Sequence, residues 1–414
     1  MLGRIAMRLK LPSLVGELCA GVLLGPSVLQ QIWPASDELF PRDAAQFHLL
    51  DALGQFGVLL LVGVAGAHVD LALFRARAKT ALAVSSFGLL VPLVFGIAVG
   101  LTIPAYFVGP DSNRHVFALF LGVALCVSAI PVIAKTLIDM NLIHRTIGQL
   151  ALTAAMLDDA VGWFLLAVVA ATATSGFDLQ TILMSFGALT VMLVFAIAIG
   201  RPLVRRAFRA AERTGEPLVT LGLTTSLILL SAAATHSLGL ESLLGAFVCG
   251  VLINEYGRPK PSTIAPLRNV VLGVLAPIFF ATAGLRMDLT ALAKLEVVAV
   301  GLLILAVAIA GKFIGAFIGA RISKLGNWEA FALGSSMNAR GVVEIVIAMT
   351  GLALGVLTTE VFTIIVLVAI ATSVLAPPLL RLAMDRIPMA ADERVREERR
   401  IEVSPEPAIT GSST

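Results

Sequence analysis

The chain has 414 residues, of which 58% are hydrophobic and only 14% charged, with a formal net charge of +3. A soluble domain carries roughly 25% charged residues, so this composition excludes an ordinary soluble protein and implies one that crosses a membrane many times. The basic residues punctuate apolar segments and form no patch, which argues against a nucleic-acid partner. Cys19, Cys126 and Cys249 all fall inside apolar segments, with neither a disulfide framework nor metal-ligand spacing. They are expected as small buried core residues.

Reading along the chain, the basic start (Arg4, Arg8, Lys10) leads directly into a full-length span, so no cleavable signal peptide is expected. About twelve apolar segments follow, at roughly 12–33, 49–70, 81–105, 116–138, 146–173, 179–200, 217–237, 239–255, 267–287, 293–320, 328–351 and 357–380. With the N-terminus inside, most of the 30 Lys and Arg collect on the cytoplasmic side. The outer side keeps only Arg42, Arg114, Arg286 and Lys294, and Lys312 and Arg340 lie within spans. This asymmetry predicts an all-α, multi-pass protein of the plasma membrane with both termini cytoplasmic. The polar stretch 385–414, ending in Pro, Gly, Ser and Thr, is expected to be a disordered cytoplasmic tail.

The fifth segment carries the most informative feature. Asp158 and Asp159 are adjacent, halfway along a stretch from Ile147 to Ala173 with no other charge. A helix of that span is about 40 Å long and crosses a bilayer core of about 30 Å, which places the pair near the midplane. One carboxylate there costs about 2.5–3.5 kcal/mol by insertion scales, so something must neutralise the pair, and protons and small cations are the obvious candidates. Neighbours on a helix point about 100° apart. One aspartate is therefore expected to pair with a protein cation while the other faces a water-filled cavity. A group that binds either a proton or a metal cation is the simplest basis for exchange; the plain alternative is an interhelical hydrogen-bonding pair.

Lys312, deep in the tenth segment, is the natural partner for one aspartate; the alternative is a lysine that snorkels to the interface. Gly311, Gly315 and Gly319 around it allow close approach of another helix. Two segments contain signs of interruption. Ser128-Ala129-Ile130-Pro131 puts a proline at membrane depth, and Ser335 to Gly341, with Asn338 and Arg340, is followed by Glu344. Irregular backbone at that depth is tolerated only where it is buried in protein or lines a cavity. Arg340 and Glu344 are expected to compensate half-helix ends. The interrupted segments belong to triplets 81–173 and 293–380 that run in opposite directions, the pattern of an inverted repeat with a midplane site.

These residues resemble the monovalent cation:proton antiporter-2 family, from about Leu11 to Met384. The matching stretches are Gly16-Glu17-Leu18-Cys19-Ala20-Gly21-Val22-Leu23-Leu24-Gly25-Pro26-Ser27, Ser128 to Val132, Leu157-Asp158-Asp159, Gly245-Ala246-Phe247, Phe279-Phe280 with Gly284-Leu285, Lys312, and Met337-Asn338-Ala339-Arg340-Gly341 with Glu344. The Asp-Asp followed by Trp163 is most similar to the branch of plant and fungal potassium–proton exchangers and their bacterial relatives. The resemblance implies the inverted-repeat sodium/proton antiporter fold, with two crossing broken helices and an elevator-like motion. It implies a core formed by 81–173 and 293–384, first scaffold or dimerisation spans in 1–80, a linker and further scaffold spans in 174–292, and a homodimer. By carry-over, Asp159 is the ion-binding carboxylate and Asp158 pairs with Lys312. One departure is His68 in Gly66-Ala67-His68-Val69-Asp70, where relatives carry Gly-Leu-Glu before the final Asp.

The expected function is therefore secondary exchange of Na+ or K+ for H+, with no enzyme activity, no cofactor and no metal beyond the transported cation at Asp159. If Lys312 releases a proton when the cation binds, two protons move per cation and transport is electrogenic. The alternatives are a gated potassium efflux system and a sodium-coupled solute symporter of related fold. An intramembrane aspartyl protease is disfavoured, because its two carboxylates must face each other and these point apart.

Overall fold

The computed structural model describes residues 2–8, 13–25, 27–33, 44–67, 71–110, 112–142, 145–175, 187, 190–238, 240, 242–390 and 393–394. His68 lies outside the described residues. Among the described residues every named element is helical, with one isolated antiparallel bridge between Val108 and Leu357.

The helices are α1 (Leu2–Arg8), α2 (Ser13–Leu24), α3 (Leu29–Ile32), α4 (Ala44–Gly66), α5 (Leu71–Thr102), α6 (Arg114–Cys126), α7 (Ile130–Asp139) and α8 (Thr146–Ser175). They continue with α9 (Arg201–Thr214), α10 (Pro217–Ser237), α11 (Ser242–Leu252), α12 (Pro261–Val270) and α13 (Ala276–Leu285). The last four are α14 (Leu295–Ile322), α15 (Asn327–Met337), α16 (Val342–Ala353) and α17 (Thr359–Met384). Single π-helical turns occupy Ala196–Gly200, Ile253–Gly257 and Val271–Leu275.

Seven helices among the described residues are long and apolar enough to cross a membrane alone, and the bent pair α15 and α16 makes an eighth span. The expected count of about twelve thus exceeds the spans that stand by length. The shorter apolar pieces Val15–Leu24, Arg114–Cys126 and Ser242–Gly257 fall where further spans are expected. Most of the first half of the expected sixth span lies outside the described residues.

Two similar triplets organise the chain. In the first, the long α5 precedes the interrupted α6 and α7, then α8; in the second, α14 precedes α15 and α16, bent by 43°, then α17. The breaks have local causes. Pro131 is the second residue of α7, where its missing N–H costs least, and the chain before it is extended at Val127. In the second triplet Gly341 is extended and initiates α16.

Glycine decides how the triplets meet. A Cβ on Gly315 would lie 2.2 Å from the Phe87 carbonyl oxygen, and one on Gly319 would lie 2.4 Å from that of Ala83. The stripe on α14 therefore lets its backbone touch that of α5 directly, as close helix packing in membranes requires. The same logic seats α2 on α13, since a Cβ on Gly21 would overlap the Ala281 carbonyl.

Two expectations need correction. Cys126 and Cys249 are buried, but Cys19 is exposed, on a face of α2 that the described residues leave uncovered. The tail, expected to be disordered from residue 385, is anchored at its start. Arg145 donates to the carbonyls of Ile387 and Pro388 and pairs with Glu393 at 2.9 Å. Glu393 in turn accepts from the Thr146 and Ala390 N–H groups. A buried carboxylate thus sits at the N-terminus of α8, where an anion is favoured.

Candidate functional site

The sequence-predicted residues converge where the two breaks cross. The crossing is stitched by backbone: the Ala129 N–H donates to the Ala339 carbonyl at 3.1 Å. The Ser128 hydroxyl lies 2.7 Å from the Met337 carbonyl oxygen, joining the end of α15 to the gap between α6 and α7. Asp158, Asp159, Ser128, Lys312, Asn338, Arg340 and Glu344 are all at most 2% exposed. Pro131 marks the start of α7 beside them.

Asp158 is saturated. Its Oδ1 accepts from the Ser85 hydroxyl of α5 at 2.6 Å, and its Oδ2 faces Lys312 Nζ at 2.5 Å and Ser128 Oγ at 2.9 Å. Lys312 therefore does not snorkel: it is fully buried and also donates to the Cys126 carbonyl, which ends α6. An ammonium at a helix C-terminus meets both the carbonyl dipoles and the carboxylate. Two charges buried together are tolerable when their remaining hydrogen-bonding capacity is met, and here the ion pair has those partners.

Asp159 is different. As its neighbour on α8 it points about 100° away from Asp158. Its Oδ1 has no hydrogen-bond partner among the described residues, and neither does Asn338 Oδ1. The expected water-filled cavity beside one aspartate is not matched by the cavity among the described residues, whose lining does not include Asp159. A cavity of about 290 Å³ instead lies between α4, α11 and α13 on one side and α16 on the other. Asp51, Gln55, Ser242, Thr282, Arg286 and Thr350 contribute its polar lining, and Arg286 forms an ion pair with Asp51.

Arg340 and Glu344 lie at the second break, paired at 3.3 Å one helical turn apart. Arg340 also donates to the Ala308 carbonyl at 3.0 Å and the Ala124 carbonyl at 3.4 Å, and its own carbonyl accepts from the Ser373 hydroxyl. It therefore binds α14, α6 and α17 to the crossing. Three carboxylates face two cations at this crossing, leaving one negative charge when all five are ionised.

Ser85 was not singled out in the sequence, because a serine within a membrane helix is an ordinary residue. Its only signal would have been its position on the helix that the α14 glycines approach. The carbonyl contacts to Cys126, Ala124 and Ala308 have no side-chain signature at all.

The arrangement defines a polytopic helical membrane protein with paired, interrupted helices enclosing a buried charge cluster. The chain belongs to the family described as "Sodium/hydrogen exchanger, transmembrane", matched across residues 1–385. It is 32% identical over 391 residues to Na(+)/H(+) antiporter NhaS4 of Synechocystis sp., covering 92% of both chains. It is 29% identical to Na(+)/H(+)-K(+) antiporter GerN of Bacillus cereus, again covering 92% of each. Cation/H(+) antiporter 20 of Arabidopsis thaliana is 30% identical, and this chain spans only 45% of its length. Among solved structures, the sodium proton antiporter MjNhaP1 from Methanocaldococcus jannaschii shares the fold with a TM-score of 0.61. That match covers 92% of this chain and 94% of the other at 17% identity.

Proposed function

We propose that this chain is a secondary transporter, not an enzyme, that exchanges Na+ or K+ for H+ by alternating access, with Asp159 as the shared cation and proton site. The observation that carries this reading is the charge balance at the crossing. Asp158, Asp159 and Glu344 outnumber Lys312 and Arg340 by one, and of the two carboxylates with an unpartnered oxygen, Asp159 and Glu344, it is Glu344 that pairs with a cation, Arg340. One proton or one alkali cation neutralises the remaining charge, and a buried site of low dielectric favours having one or the other bound. Competition for the same oxygen couples the two ions without a separate gate for each.

The placement of the cavity supports alternating access. Its walls come from α4, α11 and α13 on one side and from α16, which begins at the crossing, on the other. Movement of the two triplets as a unit against the remaining helices would open the crossing to one face and then the other. In this reading the moving core is 81–173 with 293–384, and the scaffold is built from 1–80 and 174–292. The protein resides in the plasma membrane with cytoplasmic termini and works as a homodimer. Relatives named for Na(+)/H(+) and for Na(+)/H(+)-K(+) antiport support the exchange and leave both cations as candidates.

The test is dye-reported proton flux in vesicles titrated with sodium, potassium and lithium. Wild-type protein is expected to move protons on cation addition, and Asp159→Asn is expected to abolish the response. Flux retained in that variant refutes the reading. Faster exchange under an imposed membrane potential is expected if two protons move per cation.

A further inference from the structure

The densest positive charge in the molecule lies away from the crossing. α9 carries five arginines, Arg201, Arg205, Arg206, Arg209 and Arg213, against one glutamate, Glu212. All six side chains are exposed, and among the described residues none of the five arginines forms an ion pair. Like charges four residues apart on a helix repel, and 201, 205, 209 and 213 repeat that spacing along one side. The helix is therefore short of counter-charge.

α9 is the continuation of an apolar helix. Residues 190–195 are helical, and the π turn Ala196–Gly200 joins them to α9 with helical backbone at Phe195, Gly200 and Arg201. One buried stripe runs the whole length, through Met192, Ala196, Val204, Phe208 and Ala211. It is held against the π turn Ile253–Gly257: a Cβ on Gly257 would lie 3.0 Å from the Phe208 ring, and the Arg201 guanidinium lies 4.7 Å over the Tyr256 ring. The surface turned away from this stripe changes character at Gly200. Before it stand Val191, Val194, Phe195 and Ile199, all exposed; after it stand Arg205, Arg206, Arg209 and Arg213.

Exposed apolar side chains on a membrane-spanning protein meet acyl chains, so this switch marks the edge of the hydrocarbon. The headgroup layer beyond that edge is about 5–8 Å deep. At 1.5 Å per residue, the rise from Arg201 to Arg206 is about 7.5 Å, and at 100° per residue the five arginines share an arc of about 140°. They thus stand at phosphate depth and face outward. A guanidinium is the side chain best suited to grip a phosphate with two hydrogen bonds.

We propose that the arginine face of α9 is a binding surface for anionic phospholipid headgroups of the adjacent leaflet, the cytoplasmic one in the orientation proposed above. Charge that only sets topology needs no particular place on the surface. Here it prolongs a lipid-facing surface, so the lipids that coat Val194 and Ile199 bring their phosphates to the arginines. Headgroup binding is independent of which ions are exchanged, and it gives the helices that α9 packs on a grip on the bilayer.

The experiment titrates the purified full chain, in neutral detergent, with phosphatidylglycerol or with phosphatidylcholine of the same acyl chains, following the melting temperature. Phosphatidylglycerol is expected to stabilise at lower concentration, and its advantage to shrink as choline chloride, which supplies no alkali cation, screens the charges. An arginine near an anionic surface is equivalent to about a fivefold change in affinity. Arg205→Gln, Arg206→Gln and Arg209→Gln combined should therefore raise the half-maximal phosphatidylglycerol concentration on the order of a hundredfold. Lysine at the same three positions, which keeps the charge, should raise it less than about fivefold. Arg206→Gln alone, with a rise of about fivefold, carries the comparison if the triple variant does not fold. Equal stabilisation by the two lipids, or a phosphatidylglycerol response that is the same in wild type and glutamine variants, overturns the proposal. Equal stabilisation by soluble tripolyphosphate assigns the surface to free polyanions and overturns it as well.

Discussion

Lys312 and Asp158 are 154 positions apart in the chain and 2.5 Å apart in the fold. Neither side chain is exposed, and each belongs to a different triplet. The pair ties α8 to α14 through charge at the depth where an unpaired charge is least tolerable. It also fixes the division of labour between adjacent aspartates, since the ammonium, Ser85 and Ser128 surround Asp158 and leave one oxygen of Asp159 unpartnered.

Breaking this pair from one side should be costly. Lys312→Met leaves Asp158 charged or forces it to take a proton, and Asp158→Asn leaves Lys312 in the same position. Each single variant is expected to lose about 3–5 kcal/mol of stability, whereas the double variant should recover most of it, because a buried pair replaced as a unit is often nearly neutral. Thermal unfolding of the four proteins in detergent checks this, with transport lost in all three variants.

Ser85→Ala removes the donor to Asp158 Oδ1 and leaves a buried carboxylate oxygen unsatisfied. A loss of about 1–3 kcal/mol is expected, with Ser85→Thr milder. The same unfolding measurement applies, and a neutral alanine variant would show that another group takes over this oxygen.

Close contact between α5 and α14 leaves no room at Gly315 or Gly319. Gly315→Ala is expected to destabilise by about 1–3 kcal/mol through overpacking, and Gly315→Leu to prevent assembly of the purified protein. Gly222, whose Cβ would meet nothing within 4 Å, provides the control: Gly222→Ala should be tolerated. Size-exclusion profiles and melting temperatures distinguish the three.

The anchor of the tail should respond to acid. Burial alone would raise the Glu393 carboxyl, but hydrogen bonds from Thr146 and Ala390 and the Arg145 guanidinium outweigh it and hold the group below its ordinary value of 4.5. A depressed carboxylate contributes stability above its unfolded value and loses that contribution as pH falls through the folded one. The anchor is therefore expected to be complete at neutral pH and to release below about pH 4.5. Limited proteolysis across pH checks this, and Glu393→Gln should make the segment cleavable at neutral pH.

Much of the site was legible because charge in an apolar span is conspicuous. Asp158, Asp159, Lys312, Arg340 and Glu344 stand out against their neighbours for one reason: each is costly where it lies. The interruptions at Pro131 and Gly341 were readable from residues that cannot continue a helix or that readily leave one. What could not be read were partners without a side-chain signature. Ser85 is indistinguishable in sequence from any serine bonded to its own helix, and the carbonyls of Cys126, Ala308 and Met337 belong to positions whose side chains are irrelevant to the contact. The π-turns are likewise set by packing and not by composition. Anchoring of Glu393 was missed because a polar, charged stretch reads as solvated until its docking surface is known.

The bond from the Ala129 N–H to the Ala339 carbonyl involves no side chain. Evolution can therefore redecorate both interruptions, tuning which ion is preferred, without risking the geometry that brings them together. The exception is an imino acid at position 129, which has no hydrogen to give. Such a replacement would remove this backbone bond while every charged group remained in the chain, leaving the Ser128 hydroxyl on the Met337 carbonyl to join the two interruptions.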